Sequence, residues 1–314
     1  MAFGTSASLP THEAGPAAEA APRMAYRQPA KTLDGIVSGY HLYAVAPPAG
    51  QVHADTFQPS WFNLRVLLDP ATAWTIKWGD GVPQRIPDVA LFGPSSTVHW
   101  SSSDRGTVLG AGITPLGWSR LGHRPADTLS DRVTPAASIF GKQVQVLAQQ
   151  LRNAPEAMIG AIFDRWFEQM LRPPGRDDDA ITVLSSALLD PAVRSVARLC
   201  EQTGIAPRTL ERLCRKVFGF PPKFLLRRAR FLRSLHALIG GGPGRGALAI
   251  DAGYTDYPHF VREAHEFLGM SPTRFLACSG PLFHQSLALR KAVLGEQAQA
   301  LTRPSCAGSL SIPR

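Results

Sequence analysis

Apolar and polar positions in the last third of the chain follow one pattern, and that pattern occurs twice. Leu210, Leu213, Cys214 and Val217 recur at helical spacing, with Arg208, Glu211, Arg212 and Arg215 on the opposite face. This predicts an amphipathic helix from about Pro207 to Phe218. A shorter helix over Val193 to Gln202 precedes it, with Asp190 as cap, Pro191 in its first turn and Leu199 buried. Cys200 falls where two crossing helices need a small side chain. Gly204 supplies the left-handed residue that ends the short helix, and Ile205 plugs the turn. The arrangement then returns. Leu248 and Ala249 precede Gly253, Tyr254 plugs the turn, and Phe260, Ala264 and Phe267 face inward. Tyr257, Pro258, His259, Val261 and Arg262 are left for solvent or a ligand. Leu210 aligns with Phe260, Arg212 with Arg262, Gly219 with Gly269 and Pro222 with Pro272. After Pro222, the residues Leu225, Leu226, Ala229, Leu232 and Leu235 or His236 predict a helix connecting the two copies. A helix, a glycine turn and a basic helix, present twice, predict two helix-turn-helix units, whose common task is to place a helix in the major groove of DNA.

From Tyr26 to about Thr114 the pattern shortens to β-rich runs broken by Gly, Pro and Asp. The predicted strands are Gly35–Val45, Asn63–Leu68, Trp74–Trp78, Val89–Phe92, Thr97–Ser101 and Thr107–Ile113, spaced as in a small barrel or sandwich. The G-D-G at Gly79 to Gly81 reads as a hairpin turn. Two helices follow. Lys142 to Arg152 ends at Asn153, which is placed to cap the next helix, with Pro155 in its first turn. In that helix Met158, Ile159, Ile162, Phe163, Trp166, Met170 and Leu171 form a broad apolar face. It must be buried against the sensor core or a second subunit. Pro173 to Asp179 reads as a linker. The expected domains are therefore 1–25 disordered, 26–171 β-rich, 172–180 linker, 181–278 double helix-turn-helix, and a 279–314 tail. One helix over Leu282 to Leu301 is expected in the tail.

Charge sharpens the assignment. Val193 to Phe275 holds 14 Lys and Arg against 6 Asp and Glu, a net of +8; the whole chain has 33 against 24, so the rest carries only +1. Concentrated positive charge is the footprint of a phosphate-binding surface. Candidate chemistry elsewhere is sparse. Cys200, Cys214, Cys278 and Cys306 form no C-x-x-C, so reduced cytoplasmic thiols are expected. His41, His53, His99 and His123 are scattered with no H-x-H pair, so no metal site, catalytic site or cofactor is expected. No run of 18 apolar residues exists, so no membrane span is expected, and Met1 to Ala25 lacks the pattern of a secretory signal. Trp61, Trp74, Trp78, Trp100 and Trp118 are candidates to line an apolar ligand pocket, or to fill the core.

The repeat region resembles the AraC/XylS family of bacterial transcription regulators. The resemblance covers about Leu184 to Phe275. It rests on Leu210, Arg212, Gly219 and Pro222, on Arg230 and Phe231, and on Gly253, Tyr254, Asp256, His259, Phe260, Arg262, Gly269, Ser271, Pro272 and Phe275. Cys214 and Ala264 stand where that family usually has an aromatic residue, which implies a lightly packed core beside both recognition helices. Gly240 to Gly246 is richer in glycine than the family pattern, and Arg245 replaces an apolar anchor. The resemblance implies an α+β, two-domain protein: an N-terminal β-rich, cupin-like sensor domain and a C-terminal all-α domain with two helix-turn-helix units joined by a long helix. It implies double-stranded DNA as partner, with Arg208, Glu211, Arg212, Arg215, Tyr257, Pro258, His259, Val261 and Arg262 facing it. A small-molecule effector, a homodimer and, for an activator, RNA polymerase are the further partners it implies. The alternatives are a cupin-type enzyme fused to a DNA-targeting module and a non-specific architectural DNA binder. Glu211, Tyr257 and His259 beside the arginines favour base reading over phosphate binding alone.

Overall fold

Residues 22–79, 81–122, 124–241, 250–296 and 298–302 are described by a computed structural model. Ten strands form its N-terminal part: β1 (Arg23–Arg27), β2 (Val37–Val45), β3 (His53–Phe57), β4 (Phe62–Leu67), β5 (Trp74–Trp78), β6 (Gln84–Arg85), β7 (Val89–Phe92), β8 (His99–Ser103), β9 (Gly106–Ile113) and β10 (Val133–Pro135). They make two antiparallel sheets, one in the order β1-β2-β9-β4-β7-β10 and the other β3-β8-β5-β6. The larger sheet is buried on both faces, and strand alternation decides which residue goes where. Tyr40 and Leu42 of β2, with Leu64 and Val66 of β4, point outward under a layer of helices. Tyr43 and Val45, with Leu67, point inward toward Trp74 and Ile76 of the smaller sheet.

The covering helices are α1 (Pro115–Leu121), α2 (Ala137–Phe140), α3 (Gln143–Asn153) and α4 (Ile159–Met170). Ile159, Phe163, Trp166 and Phe167 of α4 join that outer core. The apolar face of α4 therefore meets the N-terminal core, although Met158 at its start stays 47% exposed. Asn153 does not cap α4. It is the last residue of α3, and a single 3-10 turn over Glu156–Met158 leads into α4 without a side-chain cap.

The C-terminal part is helical: α5 (Asp178–Leu189), α6 (Val196–Thr203), α7 (Pro207–Leu213), α8 (Pro222–Gly241), α9 (Tyr257–Leu268), α10 (Pro272–Cys278) and α11 (Pro281–Leu294). Four expected boundaries move. Residues 23–25 are not disordered, because Arg23–Arg27 pairs with β2 along the sheet edge; residues 1–21 lie outside the described ones. The linker ends earlier, since Asp178–Ala180 already belong to α5, where two carboxylates suit a helix start. Ser195, not Asp190, caps α6, its hydroxyl accepting from the Arg198 amide at 3.1 Å. Asp190 instead ends α5 and accepts from the Ala192 amide at 2.8 Å. The tail helix expected over Leu282 to Leu301 breaks into two pieces. There α11 stops at Gly295, one 3-10 turn covers Gln299–Leu301, and both pack on the N-terminal sheets. Leu248, Ala249 and Arg245 lie outside the described residues. Among the described residues no helix is long and apolar enough to cross a membrane.

Candidate nucleic-acid interface

Local sequence builds the first unit. Gly204 adopts φ 69°, a left-handed conformation that ends α6, and Pro207 opens α7. Leu210, Leu213, Cys214, Val217 and Phe218 are buried, which turns the opposite face of α7 to solvent. Arg208, Arg212 and Arg215 are exposed on that face, while Glu211 is half-buried. Glu211 is not free, because its carboxylate accepts from Arg215 Nε at 2.9 Å. The helix does not close as a regular one. Cys214 to Phe218 form a single π turn, ended by the Gly219 amide donating to the Cys214 carbonyl at 3.0 Å. Burial, with Glu211 nearby, pushes the Cys214 thiol up to about 12, so it stays protonated. Cys200 is half-buried and Cys278 exposed.

In the second unit the Asp256 carboxylate caps α9, accepting from the His259 amide at 2.7 Å. Phe260, Ala264 and Phe267 are buried as expected. Tyr257, Pro258 and Arg262 are exposed, and His259 and Val261 are half-buried. Cys214 and Ala264 have no exposed surface and belong to one apolar core with Phe218, Phe231, Phe260 and Phe267. Phe231 of α8 stacks on Phe267 at 4.7 Å and on Phe260 at 5.8 Å, and Phe218 meets Trp61 edge-on at 5.5 Å.

An ion-pair network fixes α9 against α8. Glu263, almost fully buried, accepts from Arg227 Nε at 2.8 Å, from Arg230 Nη2 at 2.6 Å and from the Tyr254 hydroxyl. Arg230 also donates to the Gly253 carbonyl at 3.1 Å, and a Cβ on residue 253 would approach Arg230 Cδ to 2.9 Å. The glycines of the two repeats therefore have different reasons: Gly204 for its φ, Gly253 for close approach. Arg233 completes the clamp by pairing with Asp251 at 2.8 Å. Between the units lies a cleft of about 640 Å³ lined by Arg194, Lys223, Arg227, Arg230, Arg233 and Arg262, with Asp251, Glu263 and Glu266 among them. Arg194 and Lys223 escape a reading of the recognition helices alone. Each sits near the start of a different helix, and only the fold brings them together.

The C-terminal domain also meets the N-terminal one. Arg228 of α8, only 1% exposed, donates to the Ser95 carbonyl at 2.9 Å and lies 3.9 Å above the Trp61 ring. Burial depresses its guanidinium to about 9. The Val98 amide donates to the Phe267 carbonyl at 2.9 Å, and His236 of α8 bonds Gln58 at 2.6 Å. A cavity of about 350 Å³ lies along this junction, lined among others by Lys31, Trp61, Leu188, Phe218, Arg228 and Gln299. Of the five tryptophans, Trp61 lines this cavity, Trp74 and Trp118 are core, and Trp78 packs on His99 at 4.7 Å. Trp100 lies half-buried on β8. His41 and His99, apart in sequence, both enter the space between the sheets.

Residues 199–277 match the family model of a helix-turn-helix domain. No curated protein matches the chain significantly in sequence. Among solved structures, ToxT from Vibrio cholerae O395 is 14% identical over 76% of this chain and 97% of its own, with a TM-score of 0.42. A second, P21 crystal form of ToxT gives 14%, 76%, 98% and 0.44. The AraC-like transcriptional activator CuxR is 12% identical over 68% of this chain and 83% of its own, with a TM-score of 0.26. At that level of similarity the likeness says nothing about this chain's ligand.

Proposed function

We propose that the chain is a sequence-specific DNA-binding transcription regulator whose N-terminal domain controls a pair of recognition helices, α7 and α9. One observation carries the reading: the free faces of both helices present Arg208, Arg212, Arg215, Tyr257, Pro258 and Arg262, and the cleft adds Arg194 and Lys223, which with Arg262 stand in no ion pair among the described residues. Arginines on a helix face suit guanine edges, and the basic cleft suits the phosphates between two successive major grooves. Glu211 reaches a base only by releasing Arg215, so the two act as one unit. His259 and Val261, half-buried, contribute shape more than hydrogen bonds.

Control by the sensor domain is supported by the junction itself. Phe218, which ends the first recognition unit, packs on Trp61 of the sensor domain, beside the 350 Å³ cavity. A ligand there could shift DNA affinity only by binding the free and DNA-bound arrangements differently. The α4 face gives no support to a dimer, since the sensor core covers it. The test is to map bound sites genome-wide, then compare affinities for the recovered site and for random DNA at fixed salt. A ratio in the range of about 10³ or more supports sequence-specific regulation. Equal affinities reduce the protein to an architectural binder.

A further inference from the structure

Two sheet edges leave an open seam in the N-terminal domain. β1 is the edge of the larger sheet and β3 the edge of the smaller one. Helix α11, which follows the DNA-binding domain in the chain, returns to lie across both. Its start is fastened to β3: the Phe283 amide donates to Asp55 Oδ2 at 3.1 Å, and a Cβ on Gly280 would approach that oxygen to 2.7 Å. Leu282 enters the core between the sheets. The following turn is fastened too, with the Gln299 side-chain amide donating to the Phe62 carbonyl at 3.0 Å. Covering an edge is a known protective device, but apolar contacts would suffice for it. Here the helix also carries an arginine inward.

Beneath α11 is a small cavity of about 70 Å³ between the sheets. Arg65 of β4 and Arg290 of α11 both line it, and they are 6% and 7% exposed. Among the described residues no carboxylate lies within 4 Å of either guanidinium. None lines the cavity either. Arg65 makes a weak 3.4 Å bond to Asn63 and lies 4.0 Å over Phe92. Arg290 donates to Thr302 Oγ1 at 3.0 Å and weakly to the Ser38 carbonyl at 3.4 Å, has Tyr26 beside it and feels Glu296 without touching it, and its Nε has no hydrogen-bond partner. The Tyr43 hydroxyl, His41 Nε2 and both ring nitrogens of His99 are likewise buried without partners. Uncompensated buried charge and unmade hydrogen bonds are each costly. Stacking on aromatic rings offsets only a part of that cost. Gathered at one point, these groups make a site suited to a negatively charged group.

The geometry points to a binding site for a small carboxylate anion between the sheets, held by Arg65 of β4 and Arg290 of α11, with α11 as its lid. A planar carboxylate matches the guanidinium fork, and the aromatic walls take its short apolar body. The size of the cavity limits that body to a few carbon atoms. The site stands without any assumption about DNA; only its regulatory consequence rests on the function proposed above.

The test uses the full chain at constant ionic strength. Sodium acetate, propionate, lactate and succinate are each compared with their neutral amides, and with sodium phosphate, by thermal shift and titration calorimetry. At least one acid should bind saturably and raise the melting temperature, while its amide does not. Arg65→Gln and Arg290→Gln should each lose about tenfold or more in affinity, and Arg85→Gln, on exposed β6, should lose nothing. If one variant fails to fold, the other and the acid–amide comparison still decide. Acid and amide binding alike, phosphate binding where no acid does, no acid binding, or both arginine variants keeping full affinity would each overturn the site. An acid that binds but leaves DNA affinity unchanged upholds the site and counts against sensor control. DNA binding without any acid binding removes the site and leaves the DNA reading intact.

Discussion

Exposure on a recognition helix does not by itself make a base contact. Arg215 and Glu211 hold one another across a helical turn, an exposed pair worth little to stability but enough to preset both side chains. Arg212, exposed and in no ion pair among the described residues, has nothing to give up on meeting a base. We expect Arg212→Ala to weaken the cognate site by about 1–3 kcal/mol and random DNA much less. Competition binding against both DNAs measures the difference, and equal losses would make Arg212 a phosphate contact. Arg230 is the opposite case. It belongs to the motif that carried the family resemblance, yet in the fold it is spent on Glu263 and Gly253.

At the scale of elements, periodicity was informative wherever one face of an element is buried. Strands β5 and β7 and the helices α7 to α9 stand where apolar spacing put them. Strand β3 (H-A-D-T-F) escaped because its two fully buried residues, Asp55 and Thr56, are polar and lie on opposite faces, and Asp55 is held by a helix more than 200 residues away. Strand β1 escaped because it is a sheet edge with only Met24 fully buried. The caps at Asp190 and Asn153 failed for one reason: a preceding helix had already claimed those residues for its own end. Which faces of α7 and α9 are exposed was legible because it is set locally. The cleft between them and the inter-sheet cavity were not, because they join residues from distant segments. The α8–α9 clamp gives a test of one such non-local feature. Removing the Glu263 carboxylate leaves Arg227 and Arg230 without their shared acceptor, so Glu263→Ala should free α9 from α8. Footprinting should then change from two protected segments about 10 base pairs apart to the one read by α7. Two segments retained in the variant would mean that the aromatic stack on Phe231 alone sets the spacing.

For the whole molecule, the same buried surfaces that unite the domains make the assembly sensitive to acid. The core of the helix-turn-helix domain runs on into Trp61 and Val98 of the N-terminal domain, and His236 sits in that junction, depressed by burial to about 4. His41 and His99, between the sheets, are also held well below the ordinary histidine range, by burial first and then by Arg65. Each is neutral in the folded protein but takes up a proton at about 6.5 once unfolded. Between those values the unfolded chain binds more protons, so stability rises with pH and is lost as pH falls from about 6.5 toward 4. His236 alone accounts for about 3 kcal/mol at most over that window. Urea unfolding at pH steps from 7 down to 4 should therefore show a falling midpoint well before most carboxylates titrate. His236→Gln, which keeps a hydrogen-bonding side chain facing Gln58, should flatten part of the slope while leaving stability at pH 7 nearly unchanged. A slope identical in the variant would place the acid sensitivity in the inter-sheet histidines and remove His236 from it.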